Sequence, residues 1–308
     1  MLRAAFHPIP YFPMIGFSIL MLSMFDLSLG YGRTESTTVG NLTGTITFSK
    51  KLPQVRKFNL ATYPDPYYCG RISDGKGWRI GQKVRVSTDL RFAGAMIFMK
   101  GLRSNKPIQQ RTNTIKSLNC RFTPFLGFLR KGEDLTFENW DPVLHSIEVF
   151  QSTPKGGRLL FQENLPPHRH SRKSDFLQSE KSAIHQAGAP LSYEIREEGI
   201  LFFRCPLHEY MESWAVVLSH DYYAISDEDG HFSISDIPTG THTLIVWHPI
   251  GQIEQTVIIK DQETLQLDLD FQPTRSTFYR EPEVKMNPFG IELLGDSHII
   301  PSVEKQTE

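Results

Sequence analysis

Apolar and polar residues alternate along much of the chain after residue 40, with the two-residue period of β-strands. The alternating segments are residues 43–48, 83–87, 135–137 and 146–149. Three short runs are apolar throughout, as in strands inside a sandwich, at residues 95–99, 200–203 and 215–218. No long amphipathic helix is predicted. The pattern indicates an all-β fold, with an antiparallel β-sandwich over about residues 40–218.

The alternation of apolar and polar residues is interrupted after residue 150 and resumes in a different form from residue 219. Residues 151–199 are polar and show no clear period, so we expect a long loop or insertion there. From residue 219, turn signals at Asp229-Gly230 and Pro238-Thr-Gly240 separate short alternating strands. This predicts a second, small β-sandwich over residues 219–272, followed by a polar tail at 273–308.

The first thirty residues have the composition of a secretory signal. Arg3 is the only charged residue before Asp26, residues 11–25 are mostly apolar, and Ser28 and Gly30 supply small residues for cleavage. We therefore expect a signal peptide at residues 1–30, with an uncleaved N-terminal membrane anchor as the alternative. Both interpretations place the rest of the chain outside the cytoplasm, in the periplasm or the extracellular space.

Composition and charge narrow the class of function. The chain has 308 residues, of which 39% are hydrophobic and 22% charged, as expected of a globular protein with a core. The formal net charge is -1 and no basic stripe stands out, so nucleic acid is not an expected partner. There are three cysteines. In a secreted chain, an odd number indicates a thiol with a task other than an internal disulfide.

One segment brings three soft donors together in the sequence Cys205-Pro-Leu-His208-Glu-Tyr-Met211. A thiolate, an imidazole and a thioether at this spacing match a copper site with a trigonal His₂Cys plane and a long axial Met. His145, at the start of an apolar strand, is the candidate for the second imidazole. Zinc bound by one Cys and two His, or a buried structural cysteine, are the alternatives.

These residues resemble the copper-ligand loop of the cupredoxins, and the Cys-x-x-His-x-x-Met spacing is similar to the short loop of amicyanin-like members. The stretch from Asn139 to His145 resembles the strand that delivers the first copper histidine. The wider layout resembles bacterial proteins that join a plastocyanin-like domain to a carboxypeptidase regulatory-like domain, the latter on the pattern Gly230…Pro238-x-Gly240…Trp247-His248. The long insertion departs from the cupredoxin pattern.

The resemblance implies a fold, a cofactor and a ligand set. The fold is a Greek-key cupredoxin-like sandwich at residues 40–218, followed by a regulatory-like sandwich at 219–272. The cofactor is one type 1 copper ion. Its implied ligands are His145, Cys205, His208 and Met211.

The resemblance also implies roles for residues near the ligands. Asn139 would tether the ligand loops by hydrogen bonds, with a plain turn residue as the alternative. His208 would lie nearest the surface, as the port for electrons. Pro206, Leu207 and Tyr210 would form an apolar patch around it on which redox proteins dock, unless they simply pack against the second sandwich. No membrane contact is expected apart from an N-terminal anchor.

With Cys205 assigned to copper, Cys69 and Cys120 remain. In an oxidising compartment they are expected to form a disulfide, and two independent buried thiols are the alternative.

A site with four protein ligands has no open position for a substrate, so no catalytic residue is assigned and no enzyme is expected. The sequence favours one-electron transfer between redox partners. The alternative is a copper-binding or surface-assembly protein, with a structural metal site and a second sandwich that binds a partner or a glycan. A subunit of a larger redox complex also stays open.

Overall fold

The computed structural model describes most of the chain after residue 37. The described residues are 38–53, 55–81, 84–104, 113–153, 156–167 and 188–273, with two further short strands at 284–286 and 292–294. The predicted signal peptide, residues 168–187 of the predicted insertion and most of the predicted tail lie outside the described residues.

β-strands are the main regular structure of the described part. The strands are β1 (Val39–Thr47), β2 (Lys57–Asn59), β3 (Trp78–Ile80), β4 (Arg85–Val86), β5 (Phe92–Ala93), β6 (Met96–Lys100), β7 (Asn113–Ser117), β8 (Phe122–Thr123), β9 (Leu126–Arg130), β10 (Asp134–Asn139), β11 (His145–Thr153), β12 (Gly156–Leu165), β13 (Leu191–Glu194), β14 (Gly199–Cys205), β15 (His208–Leu218), β16 (Tyr223–Ile225), β17 (His231–Pro238), β18 (Gly240–His248), β19 (Gly251–Ile259), β20 (Thr264–Gln266), β21 (Leu269–Asp270), β22 (Val284–Met286) and β23 (Glu292–Leu294). One short helix, α1 (Pro66–Cys69), lies between the 3₁₀ turns Leu60–Thr62 and Gly70–Ile72. The predicted all-β class is confirmed.

Four larger sheets contain most of the described strands. Their strand orders are β13-β10-β7-β8 in the first sheet, β12-β11-β14-β15-β9 in the second, β16-β6-β18-β19 in the third, and β17-β1-β20 in the fourth, where β21 also pairs with β1. Most neighbouring strands are antiparallel, whereas β7 and β10, β9 and β15, and β1 with both β20 and β21 run parallel.

Apolar clusters fill the spaces between successive sheets. Phe137 of the first sheet and Phe203 of the second share one cluster, while Phe202, the next residue along β14, belongs to another together with Phe98 of the third sheet. Both faces of β14 are therefore buried. This explains why residues 200–203 form an apolar run instead of alternating with polar residues.

The third and fourth sheets combine strands from both sides of residue 218. β1 lies between β17 and β20 in the fourth sheet, and β6 lies between β16 and β18 in the third. Residues 39–47 and 96–100 thus share sheets with the segment predicted as a separate sandwich at 219–272. The domain boundaries themselves stay a prediction.

Part of the predicted loop at residues 151–199 is regular structure. β12 pairs with β11 along its length, and β13 pairs with β10. Both strands lie at sheet edges and expose polar side chains such as Gln162 and Glu163. An edge strand that faces solvent carries little apolar periodicity, which is why the sequence pattern did not indicate it.

Residues 57–81 form a small cover beside the second sheet, which we call the cap. It contains the hairpin of β2 and β3 and the short helix α1. Phe58 and Leu60 join the apolar cluster that contains Cys205 and Met211. Among the described residues, no helix has the length and apolar character that crossing a membrane requires.

Candidate metal centre

Cys205 and His208 lie on either side of a two-residue turn. β14 ends at Cys205, β15 begins at His208, and the two residues pair across the hairpin. Because so short a turn brings the flanking residues face to face, Cys205 Sγ lies 3.7 Å from His208 Nδ1. The local sequence is therefore sufficient to place the thiol beside the imidazole.

His145 reaches the same point from a neighbouring strand. It is the first residue of β11, which pairs with β14. His145 Nδ1 lies 3.2 Å from His208 Nδ1, and the backbone N–H of Ser146 donates a hydrogen bond of 3.4 Å to Cys205 Sγ. The ligand atoms of His145, Cys205 and His208 all lie within 4.8 Å of one another, and each of these residues has 0% of its surface exposed.

Both imidazoles are oriented through their Nε2 atoms. His145 Nε2 lies 2.8 Å from Asp141 Oδ2, and His208 Nε2 lies 3.2 Å from the carbonyl oxygen of Pro64. Since both of these oxygens are acceptors, each Nε2–H donates, which leaves both Nδ1 atoms facing each other and the thiol. One sulfur and two nitrogen donors around one point suit a soft or borderline metal ion, and copper fits this set.

The electrostatics favour a positive charge among these donors. Burial alone would raise the pKa of Cys205, but hydrogen bonding with His145 and His208 lowers it from 9.0 to about 6. Burial would lower the pKa of His145, yet its hydrogen bonds to Asp141 and Cys205 raise it. A thiolate is thus available near neutral pH, and a proton or a metal cation is stabilised beside it.

Met211 and Asn139, predicted from the resemblance, both lie in the interior. Met211 is on β15 with 0% exposure, in the same apolar cluster as Cys205. Asn139 donates from Nδ2 to the carbonyl oxygens of Val143 and Leu165, at 2.9 and 3.0 Å. These bonds connect the segment before His145 to the ends of β10 and β12.

Asp141, which the sequence did not single out, is the most heavily bonded side chain of the site. Its fully buried carboxylate accepts five hydrogen bonds. The donors are Tyr68 Oη, Ser117 Oγ, Asn119 N–H, Cys120 N–H and His145 Nε2–H, at 2.9, 2.8, 2.6, 2.9 and 2.8 Å. Burial alone would raise its pKa, but the bonds from His145, Ser117 and Cys120 outweigh this and lower it to about 2. The ionised carboxylate fixes the His145 ring so that Nδ1 faces Cys205.

A second group of close donors, Cys120, Asp141 and His145, does not offer a metal site. Cys120 is bonded to Cys69 with a Cα–Cα distance of 5.6 Å, so its sulfur is not available as a thiolate. The disulfide predicted from the sequence is thus present. It joins the cap to the turn between β7 and β8 and lies directly against the candidate metal site.

The position of His208 differs from the expectation of a surface-exposed imidazole. His208 is fully buried, and its Nε2 edge lies under Pro64 and 3.8 Å from Cys69 Sγ. Of the predicted docking patch, only Tyr210 is buried in a similar way. Tyr210 is 5% exposed and packs edge-on against Tyr63 at a ring-centroid distance of 5.2 Å, while Pro206 and Leu207 are half-buried. The cap accounts for this, since it supplies the atoms that cover the histidine.

Comparison with known proteins yields structural likenesses only. No protein-family model and no curated protein sequence matches the chain. Among solved structures, a purple cupredoxin from Nitrosopumilus maritimus is similar with a TM-score of 0.25 and 16% identity, over 34% of this chain and 99% of the other. Amicyanin from Paracoccus versutus is similar with a TM-score of 0.25 and 16% identity, over 40% and 97%. A Cu-containing nitrite reductase from Thermus scotoductus SA-01 is similar with a TM-score of 0.26 and 15% identity, over 39% of this chain and 25% of the other. Likenesses at these scores carry no argument about function, which depends on the donor atoms themselves.

Proposed function

We propose that this chain holds one copper ion as a type 1 centre and transfers single electrons between redox partners outside the cytoplasm. The proposed ligands are His145, Cys205, His208 and Met211. One observation carries the proposal: a thiol of lowered pKa and two imidazole Nδ1 atoms meet in a fully buried site. When bound there, copper would supply a one-electron couple.

The chain's own contribution is a rigid and dry set of donors. Cys205 and His208 are fixed by the β14–β15 hairpin, and His145 is fixed by β11 and by the Asp141 carboxylate. Because Asp141 and the Pro64 carbonyl each accept from one imidazole, neither ring can turn without losing a buried hydrogen bond. Donors that stay in place in both oxidation states suit electron transfer better than substrate binding.

The disulfide supports the proposed periplasmic or extracellular location. Such bonds form and persist in oxidising compartments and are rare in the cytosol. Cys69 and Cys120 are both almost fully buried, at 1% and 0% exposure, so the bond is protected from thiol exchange.

A redox protein that exchanges electrons with this site would approach over the cap. Tyr67, in α1, is 97% exposed and lies two residues before Cys69, whose sulfur contacts His208. An exposed aromatic side chain so close to the site suits brief docking of a partner. We therefore propose α1 as the contact surface, in place of Pro206, Leu207 and Tyr210, because Tyr210 is buried.

Optical spectroscopy of the copper-loaded protein tests the proposal. We expect one equivalent of copper to give an intense blue or purple colour that bleaches on reduction and returns on oxidation. Cys205→Ser should abolish the colour, whereas His231→Gln, at an exposed histidine of β17, should leave it unchanged. Protein that binds zinc in preference and stays colourless with copper would overturn the copper assignment.

One observation favours a second candidate, a structural copper site. The side chains of His145, Cys205 and His208 are all fully buried, with 0% exposure. In that case the metal would stabilise the fold, and the second sandwich, interpreted from sequence as carboxypeptidase regulatory-like, would bind a partner or a glycan. Reversible bleaching without loss of copper distinguishes electron transfer from this alternative.

A further inference from the structure

A second polar site lies next to the candidate metal centre. A cavity of about 360 Å³ opens between β3, the residues around β8, and β15. Its walls include Arg79, Arg121, Tyr210 and Glu212. None of these four residues belongs to the proposed copper ligand set.

The cavity wall carries uncompensated positive charge. Among the described residues, no carboxylate forms an ion pair with Arg79 or Arg121. The one acidic residue on the wall, Glu212, is already paired with Arg56 at 3.5 Å. A third arginine on the wall, Arg85, is paired with Glu228. Two guanidinium groups therefore face this space without a counter-charge.

Arg79 is unusual because it is both buried and incompletely hydrogen-bonded. It lies on β3 with 5% exposure, and none of the residues that the structure describes hydrogen-bonds to its Nε or Nη1 atom. Burial, together with the like charge of Arg121, lowers its pKa to about 10, so the group still carries its charge at neutral pH. A buried cation with free donors is costly unless an anion accepts from it.

Tyr210 supplies a third free donor on the same wall. Its hydroxyl is buried and has no hydrogen-bond partner within the described part of the chain. The Arg79 guanidinium lies 5.7 Å from the centroid of the Tyr210 ring, so the two groups are neighbours. Free N–H and O–H donors beside a positive charge are the groups that bind oxyanions in proteins.

We propose that this cavity binds a small oxyanion, whose phosphate or carboxylate oxygens accept from Arg79, Arg121 and the Tyr210 hydroxyl. The forked guanidinium of Arg79 matches two oxygens of one such group. The volume of about 360 Å³ limits the ligand to a small molecule rather than a polymer segment. The site depends on the fold and not on copper, so the metal-free protein should bind the anion as well.

Titration calorimetry of the metal-free full-length chain tests this, with inorganic phosphate and succinate as probes at constant ionic strength set by chloride. We expect saturable 1:1 binding of at least one probe. Binding of phosphate alone identifies a phosphate ligand, and binding of succinate alone a carboxylate ligand. Wild-type protein that is folded and binds neither probe overturns the proposal.

Variants locate the binding. Arg79→Gln should lower the affinity for the probe by about tenfold or more. Arg196→Gln, at an exposed arginine away from the cavity, should leave the affinity unchanged. Should Arg79→Gln fail to fold, Arg121→Gln at the exposed end of the wall and Tyr210→Phe must each weaken binding. Affinity that is unaffected by these changes would place the anion elsewhere and refute the assignment.

Discussion

Removal of the Cys69–Cys120 disulfide should destabilise the protein and uncover the metal site at the same time. The bond closes a loop with a sequence separation of 51 residues. In the chain-entropy treatment, a loop of this length is worth about 4 kcal/mol at 25 °C, because the cross-link restricts the unfolded chain. The free energy of unfolding of the double variant Cys69→Ala/Cys120→Ala should therefore be about 4 kcal/mol lower than that of the wild type.

Urea unfolding of the metal-free proteins, followed by tryptophan fluorescence, measures this difference. Cys205→Ala is a matched control, since it also removes a fully buried cysteine sulfur but breaks no cross-link. The reasoning would be refuted if the double variant lost no more than twice the free energy of unfolding that Cys205→Ala loses. The missing sulfur atoms alone would then account for the loss.

The same double variant tests the covering role of the cap. Cys69 Sγ contacts His208, and the Cys120 N–H donates to Asp141, which orients His145. Without the disulfide, the cap should open more often and a chelator should remove copper faster than from the wild type. Equal rates of copper loss would show that the cap does not limit access to the site.

Three further changes probe other parts of the structure. Hydrogen bonds hold the pKa of Asp141 at about 2, below its ordinary 3.8. The metal-free protein should therefore lose about 2.5 kcal/mol of stability as the pH falls from about 4 through 2. Urea titrations should show that Asp141→Asn removes most of this dependence of stability on pH. Phe202→Ala, between the second and third sheets, should cost about 3–5 kcal/mol in the same assay, and a cost below about 1 kcal/mol would contradict the buried position. Met211→Leu should keep the colour of the copper protein and raise its midpoint potential, since a weak donor to Cu(II) is lost; a colourless variant would contradict a weak axial role.

The features that the sequence predicted are those set by short stretches of chain. Cys205 and His208 meet because a two-residue turn joins them, and the apolar strand after His145 indicated a partner for β14. The apolar runs in β6, β14 and β15 reflect burial on both faces, so they too could be recognised locally.

The features that it missed depend on contacts between distant residues. His208 is covered by Pro64 and Cys69, which are 144 and 139 positions away, and nothing in the local sequence of either segment marks that contact. Asp141 follows a strand as turn residues commonly do, and only its donors, spread over 77 residues from Tyr68 to His145, show what it holds. β12 was missed because its polar, solvent-facing residues hide the period of a strand at the sheet edge.

The central place of β1 in the fourth sheet has a consequence for how the protein is made. Thr43 of β1 bonds to Gln266 beside it, across a sequence separation of 223 residues. At synthesis rates of about 5–20 residues per second, the β1 strand waits roughly 10–45 s before β20 and β21 exist. Until β17, and later β20 and β21, emerge, the backbone donors and acceptors of β1 lack their partner strands, so β1 is an aggregation-prone edge in the nascent chain. The metal-site hairpin β14–β15 is complete by residue 218, well before this sheet can close. A factor that shields the early strand would therefore protect the chain after the segment that carries the candidate metal site has already emerged.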